Sequence, residues 1–395
     1  MNLQFNFVAD RIVKDKAYPA FTQHRAEPYT PEWRQFVQHW PNTVPVDLHE
    51  HCATHNFPHA LYSINDYPPG SYYTIGIGFF NFFINYFGLF PGDIQQQLRN
   101  GKLKVLFYYH EGDNPYRIKE ALDKQCRLHQ LPVNCYRFIS GNTEADNIPG
   151  FAYFPDHELL YWHRNKEIPA TPINMQPRRR IFTALSRTHK WWRATVMTDL
   201  FRHRLLCNSY WSYNTDISLN ESILEDNPIE VDTLNIRTSL DKFLNGAPYT
   251  CDSQTSDQHN NHSIVEKNHY TDAYCNIVLE THYDADQSSG TFLTEKTFKP
   301  IKHGQPFVIV GPYRSLAALR KLGYRTFDHA IDNSYDLEQN NTRRWQKTLQ
   351  AIQQIQQQDM HTWFQKCHDD ITHNQQLFLS SKYARLNTLY ERLHD

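Results

Sequence analysis

Between residues 102 and 153 the chain alternates continuous apolar runs with helix-spaced segments, and this alternation constrains the fold more than any other feature. Residues 102–109 (KLKVLFYY) form an apolar run with no polar alternation, as suits a strand buried on both faces. Asn114-Pro115 then places a cap residue before the first helical position. Ile118, Ala121, Leu122 and Cys126 continue at helical spacing to about His129. Residues 133–139 (VNCYRFI) supply a second strand, and a third short one is expected around Phe151. Strand, helix, strand in this order requires a parallel sheet, because the crossover must carry the chain back to the same edge.

The pattern restarts after 166–176 (KEIPATPINMQ), which has two prolines, no periodicity and the character of a linker. Residues 180–185 read as a strand. Thr188–Leu206 read as a helix with Trp191, Ala194, Met197, Phe201 and Leu205 on one face. Further strands are expected at Cys275–Leu279 and 306–310, the latter followed by Gly311 and a short helix closing at Gly323. The polar stretch Asn245–His262 reads as a mobile loop. A length of 395 residues exceeds what one core usually supports. The expected division is 1–165, with an irregular wrap to about residue 65, then 177–340, then C-terminal helices at 341–395. In that tail Trp345, Leu349, Ile352 and Ile355 form an apolar stripe.

The formal net charge is -2, so no global electrostatic pull toward nucleic acid or membranes exists and any such argument is local. The longest apolar stretch, Ile75–Phe90, is interrupted by Asn81, Asn85 and glycines and is too short to span a bilayer. Seven scattered cysteines without a CxxC pair and the lack of a basic-then-apolar start point to reduced thiols and a cytoplasmic location. His51 and His55 in HEHCATH have helical spacing but no third ligand of matching logic, so no metal site is expected. Gly76 and Gly78 lack the third glycine and the following helix cap of a dinucleotide fingerprint, and would let a loop approach an acceptor closely.

The residues that carry chemistry lie in FLTEKTFKPIKHGQPFVIVG, 292–311. Thr294 is an N-cap candidate that places Glu295 and Lys296 in the first turn of a helix. There, backbone N–H groups, the positive end of the helix dipole and the Lys296 ammonium would meet a nucleotide diphosphate, while Glu295 could accept from ribose hydroxyls. Pro300 lies inside this helix and is expected to kink it. A second cluster, 178–204, holds Arg178, Arg179, Arg180, Arg187, Lys190, Arg193, Arg202 and Arg204 against the single acid Asp199. Arg187 and Lys190 fall just after a strand, where open α/β sheets bind ligands.

An acid ending a strand (Glu280), then a loop, T-E-K, and a glycine before a buried strand together resemble the donor-site signature of fucosyltransferases. More broadly the segment is similar to the C-terminal domain of GT-B glycosyltransferases. The resemblance implies an α/β chain of two Rossmann-like domains facing a cleft, with a helical tail. It implies a nucleotide-sugar donor as substrate, no cofactor and no metal. It places Glu295 on the ribose, Lys296 and Arg187 on the diphosphate, Phe292 near the nucleotide and Glu280 in the donor site, which Thr294 and Lys190 join by their positions at the helix start and the strand end. The pattern departs at Thr281, where Asn is usual, and in the longer loop THYDADQSSG, so fucose itself is not implied.

Inverting sugar transfer needs a carboxylate to take the acceptor's proton. In YYHEGDNPYR (108–117) Glu111 is the first choice for that base and Asp113 the second, with His110 third; Asp113 or Asn114 could equally cap the helix. Glu144, at the end of the next strand, could line the same edge. The function expected is transfer of a sugar from a nucleotide-diphosphate donor to an unidentified hydroxyl, on a glycan or a modified DNA base. The rival expectation is a nucleic-acid-binding protein using 178–204, where Trp191 and Trp192 interleave with the charges.

Overall fold

The computed structural model describes residues 4–8, 48–77, 80, 82–164, 169–186, 189–214, 227–251, 266–284 and 290–394. The chain divides into two compact units. Unit 1 is Met1–His163, Ser288–Phe292 and Ser381–Asp395, and unit 2 is Arg164–Gln287 and Leu293–Ser380. The helical segment 341–395 is therefore shared between the units rather than standing as a body of its own.

Unit 1 contains β1 (Phe5–Val8), α1 (Leu48–Thr54), β2 (His59–Tyr62), β3 (Tyr72–Ile77), α2 (Gly92–Arg99) and β4 (Lys104–Tyr109). It continues with α3 (Pro115–Leu128), β5 (Tyr136–Ser140), β6 (Phe151–Tyr153), α4 (Asp156–Arg164) and a C-terminal helix, Lys382–His394. The six strands form one sheet in the order β2-β1-β3-β4-β5-β6, and every pairing is parallel. As expected, α3 opens at Asn114, whose side chain accepts from the N–H groups of Tyr116 and Arg117, with Pro115 at the first position.

The expectation for residues 1–65 is corrected here. Phe5–Val8 is an interior strand, and Phe5 and Phe7 are fully buried with Leu48, Phe57, Leu106, Ile139 and Leu386. A four-residue strand whose partners begin some fifty residues later (Phe5 pairs with His59) carries no local periodicity, so it reads as irregular. Gly76 lies in β3 opposite Tyr108, while Gly78 lies outside the described residues.

Unit 2 contains β7 (Arg180–Ser186), α5 (Trp191–Arg202), β8 (Tyr210–Tyr213), α6 (Arg237–Gly246), α7 (Asn268–Thr271), β9 (Ala273–Leu279) and α8 (Glu295–Lys302). β10 (Phe307–Val310), α9 (Ser315–Lys321), α10 (Asn341–Gln356), α11 (Met360–Lys366) and α12 (His368–Ser380) follow. Its sheet runs β10-β9-β7-β8, again parallel throughout. From β7 the chain moves outward to β8, and from β9 it moves outward the other way to β10. The strand order reverses between these two neighbours, and the carboxyl ends of strands at such a switch point are the usual ligand position in an open α/β sheet.

Helix α5 differs from expectation. All residues from Trp191 to Leu200 are buried, whereas Phe201, expected on the apolar face, is 51% exposed. The helix is tolerated inside because its polar groups find partners: the Asp199 carboxylate accepts from Trp345 Nε1 at 2.9 Å and Arg202 Nη2 at 2.7 Å. This takes the tryptophans and Arg193 out of the nucleic-acid surface expected at 178–204, while Arg179, Arg180, Arg202 and Arg204 stay exposed. Trp191, Trp192 and Arg193 are buried, and Arg178 donates to the carbonyls of Tyr270 and Ala273. In α10 the stripe Trp345, Leu349, Ile352 and Ile355 is buried as expected. Helix α8 runs through Pro300 to Lys302, and Gly304 follows it at φ +66. Arg187, residues 166–168 of the expected linker and residues 252–262 of the expected loop lie outside the described residues.

Candidate functional site

In unit 2 the site is organised by a buried acid. Glu280 follows β9 directly and is fully buried. Its carboxylate accepts four hydrogen bonds, from Thr294 N at 3.1 Å, Thr294 Oγ1 at 2.6 Å, Thr297 Oγ1 at 2.5 Å and Thr281 N at 3.1 Å. Both oxygens are thereby used by the protein. Glu280 does not face a ligand; it anchors the first turn of α8 to the end of β9. Thr294 is the N-cap, its hydroxyl accepting from Lys296 N at 3.4 Å.

Around this anchor the cations gather. Lys296 Nζ donates to Glu295 Oε1 at 2.9 Å, Thr281 Oγ1 at 3.2 Å and Thr294 Oγ1 at 3.3 Å. From the start of α5 Lys190 Nζ donates to the Thr281 carbonyl at 2.6 Å. Arg193 is buried, with Nε 3.2 Å from the Glu280 carbonyl oxygen, which Nη2 also contacts. Burial lowers its pKa to about 10 against the pull of Glu280 and Glu295, so the guanidinium stays charged at neutral pH. Lys190 stands at the N-cap position of α5, and Glu295 is almost entirely buried.

His282 registers the resulting field. Burial first, then the charges of Lys190, Arg193 and Lys296, lower its pKa to about 4. Its side chain is nevertheless exposed to solvent. Three cations thus converge on Thr281–His282, where an anion would relieve their mutual repulsion. Sequence reasoning missed His282 because nothing local marks it; two of the cations that perturb it, Lys190 and Arg193, stand at the start of α5 far upstream, and the third, Lys296, is in the next helix. Arg193 was counted within the basic cluster, but its burial against the end of β9 is visible only in the fold.

Phe292, expected beside the nucleotide, belongs to unit 1. It is 2% exposed, its backbone bridges to Asn142, and its ring lies 5.1 Å from that of His157. A Cβ on Gly112 would come within 2.2 Å of Phe292 Cγ, and one on Gly141 within 2.7 Å of its Cε2. The glycines are there because the ring occupies their side-chain space, and the ring is not available to stack on a base.

The other expected residues of unit 1 follow β4 and β5. Glu111 is half-buried, with Oε1 3.5 Å from His110 Nε2. Asp113 is exposed and accepts from Tyr109 Oη at 2.5 Å; Asn114, not Asp113, caps α3. Glu144 accepts from Asn147 Nδ2 at 2.8 Å and Tyr116 Oη at 3.3 Å, as a loop residue. The His51 of HEHCATH pairs with the buried Asp156, Nε2 to Oδ1 3.1 Å, and Tyr108 Oη donates to the same carboxylate. Among the described residues, no group of three His, Cys, Asp or Glu is placed to hold a metal ion, and no helix is long and apolar enough to cross a membrane.

No protein-family model matches the chain, and no curated protein does. Among solved structures it is similar to the DNA modifying enzyme β-glucosyltransferase, at 8% identity and TM-score 0.40 over 99% of this chain and 100% of that one. A T4 phage BGT mutant in complex with UDP-glucose gives 10% identity and TM-score 0.37 over 99% of each chain. A glycosyltransferase from Rickettsia africae gives 12% identity and TM-score 0.32 over 99% of this chain and 90% of that one. At these TM-scores the likenesses carry no weight for the chemistry of the site.

Proposed function

We propose that the chain is a glycosyltransferase of GT-B organisation whose unit 2 binds a nucleotide-diphosphate sugar at the carboxyl ends of β7 and β9. The observation that carries this is the convergence of Lys190, Arg193 and Lys296 on Thr281–His282 at the switch point of the sheet, beside the start of α8. Fixed cations and a helix N-terminus are what a departing nucleoside diphosphate needs, since charge grows on its β-phosphate as the glycosidic bond breaks. Lys296 and Lys190 would hold the diphosphate, with Arg193 adding to the field. Glu295 would meet the ribose, and Glu280 would act as a positioning residue. Glu111 would be the base that takes the acceptor's proton, with Asp113 the alternative.

The test is calorimetric titration with UDP, GDP, ADP and their sugars. Binding of at least one, weakened about tenfold in Lys296→Ala, is expected for loss of a charge-assisted contact. Glu111→Gln should bind the donor normally and lose turnover. A wild-type chain that binds no nucleoside diphosphate rules the proposal out.

A modified DNA base as acceptor is favoured over a glycan by one surface of unit 1. Phe83 is 99% exposed and Phe82 41%, with the Arg117 guanidinium 5.2 Å over the Phe82 ring. Arg117, Lys124 and Arg127 lie exposed along α3. Exposed aromatics beside cations suit stacked bases and phosphates. A gel shift with duplex DNA that disappears with salt and in Phe83→Ser supports this acceptor; no shift at low salt removes it.

A further inference from the structure

We propose that the carboxyl edge of β7 and the start of α5 form a hydrogen-bond-donating subsite for oxygens of the bound nucleotide, with Ser186 Oγ, His189 Nε2 and Trp191 Nε1 as donors. It deepens the nucleotide proposal and rests on it for the identity of the ligand.

The three residues are 2%, 6% and 8% exposed, and each of these atoms is buried without a hydrogen-bond partner. Proteins pair nearly all such groups, because a buried donor left unmade loses its water and gains nothing in return. Three orphans within six residues, at the ligand-binding edge of an open sheet, are therefore a feature of function. They also share one place. The His189 and Trp191 rings are 5.0 Å apart and nearly perpendicular. His189 Nδ1 is bonded to Tyr213 Oη, and Tyr213 sits opposite Ser186 in the β7–β8 register, on the same face of the sheet.

The polarity of the site follows from these bonds. Burial pushes the Tyr213 hydroxyl up, Arg193 opposing only in part, so it keeps its proton and donates to Nδ1. Burial lowers His189, so its ring is neutral and its remaining proton is on Nε2. The indole N–H can only donate. What is missing is an acceptor oxygen. The subsite opens the 12-residue helix α5, and Lys190 and Arg193 flank it, which suits phosphoryl oxygens. The carbonyl oxygens of a nucleobase offer the same chemistry.

Trp191→Phe and Ser186→Ala each remove one orphaned donor while keeping most of the side chain's volume. Binding of UDP, GDP, inorganic pyrophosphate and uridine is measured by calorimetry on the full chain, and thermal unfolding is measured without ligand. The expected result is UDP or GDP binding weakened about tenfold in each variant, with an unfolding temperature equal to or above wild type. If pyrophosphate binding weakens in parallel, the oxygens are phosphoryl. If pyrophosphate is unaffected and uridine weakens, they belong to the base. Nucleotide binding unchanged in both variants overturns the subsite and leaves the nucleotide proposal standing. A wild-type chain that binds none of the probes overturns the nucleotide proposal itself.

Discussion

The Glu280 carboxylate lies 2.6 Å from the Thr294 hydroxyl across fourteen residues of chain, and the same carboxylate holds Thr297. One buried acid therefore ends β9 and sets the start of α8, where Lys296 emerges. Replacing Glu280 by Gln exchanges an acceptor for an amide donor among four groups that already donate. The expected cost is about 1–3 kcal/mol per donor left unmatched, read by urea unfolding, with loss of nucleotide binding. Glu280→Gln with wild-type stability would show that the acid is not an anchor.

In the proposed donor site, His282 should make binding depend on pH. Its pKa is depressed to about 4 in the free protein, so between pH 4 and its ordinary value of about 6.5 the folded site refuses a proton. A diphosphate bound there would offset Lys190, Arg193 and Lys296 and raise His282, so binding would be coupled to proton uptake in that window. UDP-glucose, whose diphosphate does not titrate there, should bind more tightly at pH 5 than at pH 7.5. His282→Asn should flatten the profile; an equally steep profile in that variant would assign the proton elsewhere.

In unit 1 the close fit of Phe292 over Gly112 gives a steric prediction. Gly112→Ala forces a methyl into space held by the Phe292 ring, and overpacking of this kind costs about 1–3 kcal/mol. The double variant with Phe292→Ala should recover part of that loss relative to the sum of the single changes. Strict additivity in denaturant unfolding would sink the explanation.

Asp156 links unit 1 to acid stability. Burial alone would raise its carboxyl, but the His51 hydrogen bond and the charges of His51, His110 and His157 outweigh it and hold the group well below the usual carboxylate range. A depressed folded pKa contributes stability that is present above the unfolded value of about 3.9 and is lost as pH falls through the folded one. Asp156→Asn should therefore unfold more easily at neutral pH, by about 1–3 kcal/mol for buried partners left unmatched, and lose part of the acid-limb slope below about pH 4. Tyr108→Phe, which removes one bond to the same carboxylate, should cost about 1 kcal/mol and keep the slope.

The strands at Lys104–Tyr109, Arg180–Ser186, Ala273–Leu279 and Phe307–Val310 were legible in the sequence because buried parallel strands are continuous apolar runs. The caps at Asn114 and Thr294 were legible because capping is chemistry within three residues. Both signals are local, so the alternating α/β plan and the position of Lys296 at a helix start needed no tertiary information. The strands Phe5–Val8, Tyr72–Ile77 and Tyr210–Tyr213 exist only through partners distant in sequence, and a short segment has no periodicity of its own to announce them. Burial was decided in the same way. A basic, tryptophan-rich helix looks like a surface until α10 supplies Trp345 to Asp199 and the end of β9 supplies carbonyls to Arg193. The sheet order that sets β7 beside β9 brings Lys190 and Lys296 together on Thr281, and it turns Glu280 from an expected ligand contact into the anchor beneath them. The reason is physical: sequence carries the chemistry of neighbours along the chain, and a site is made by neighbours in space.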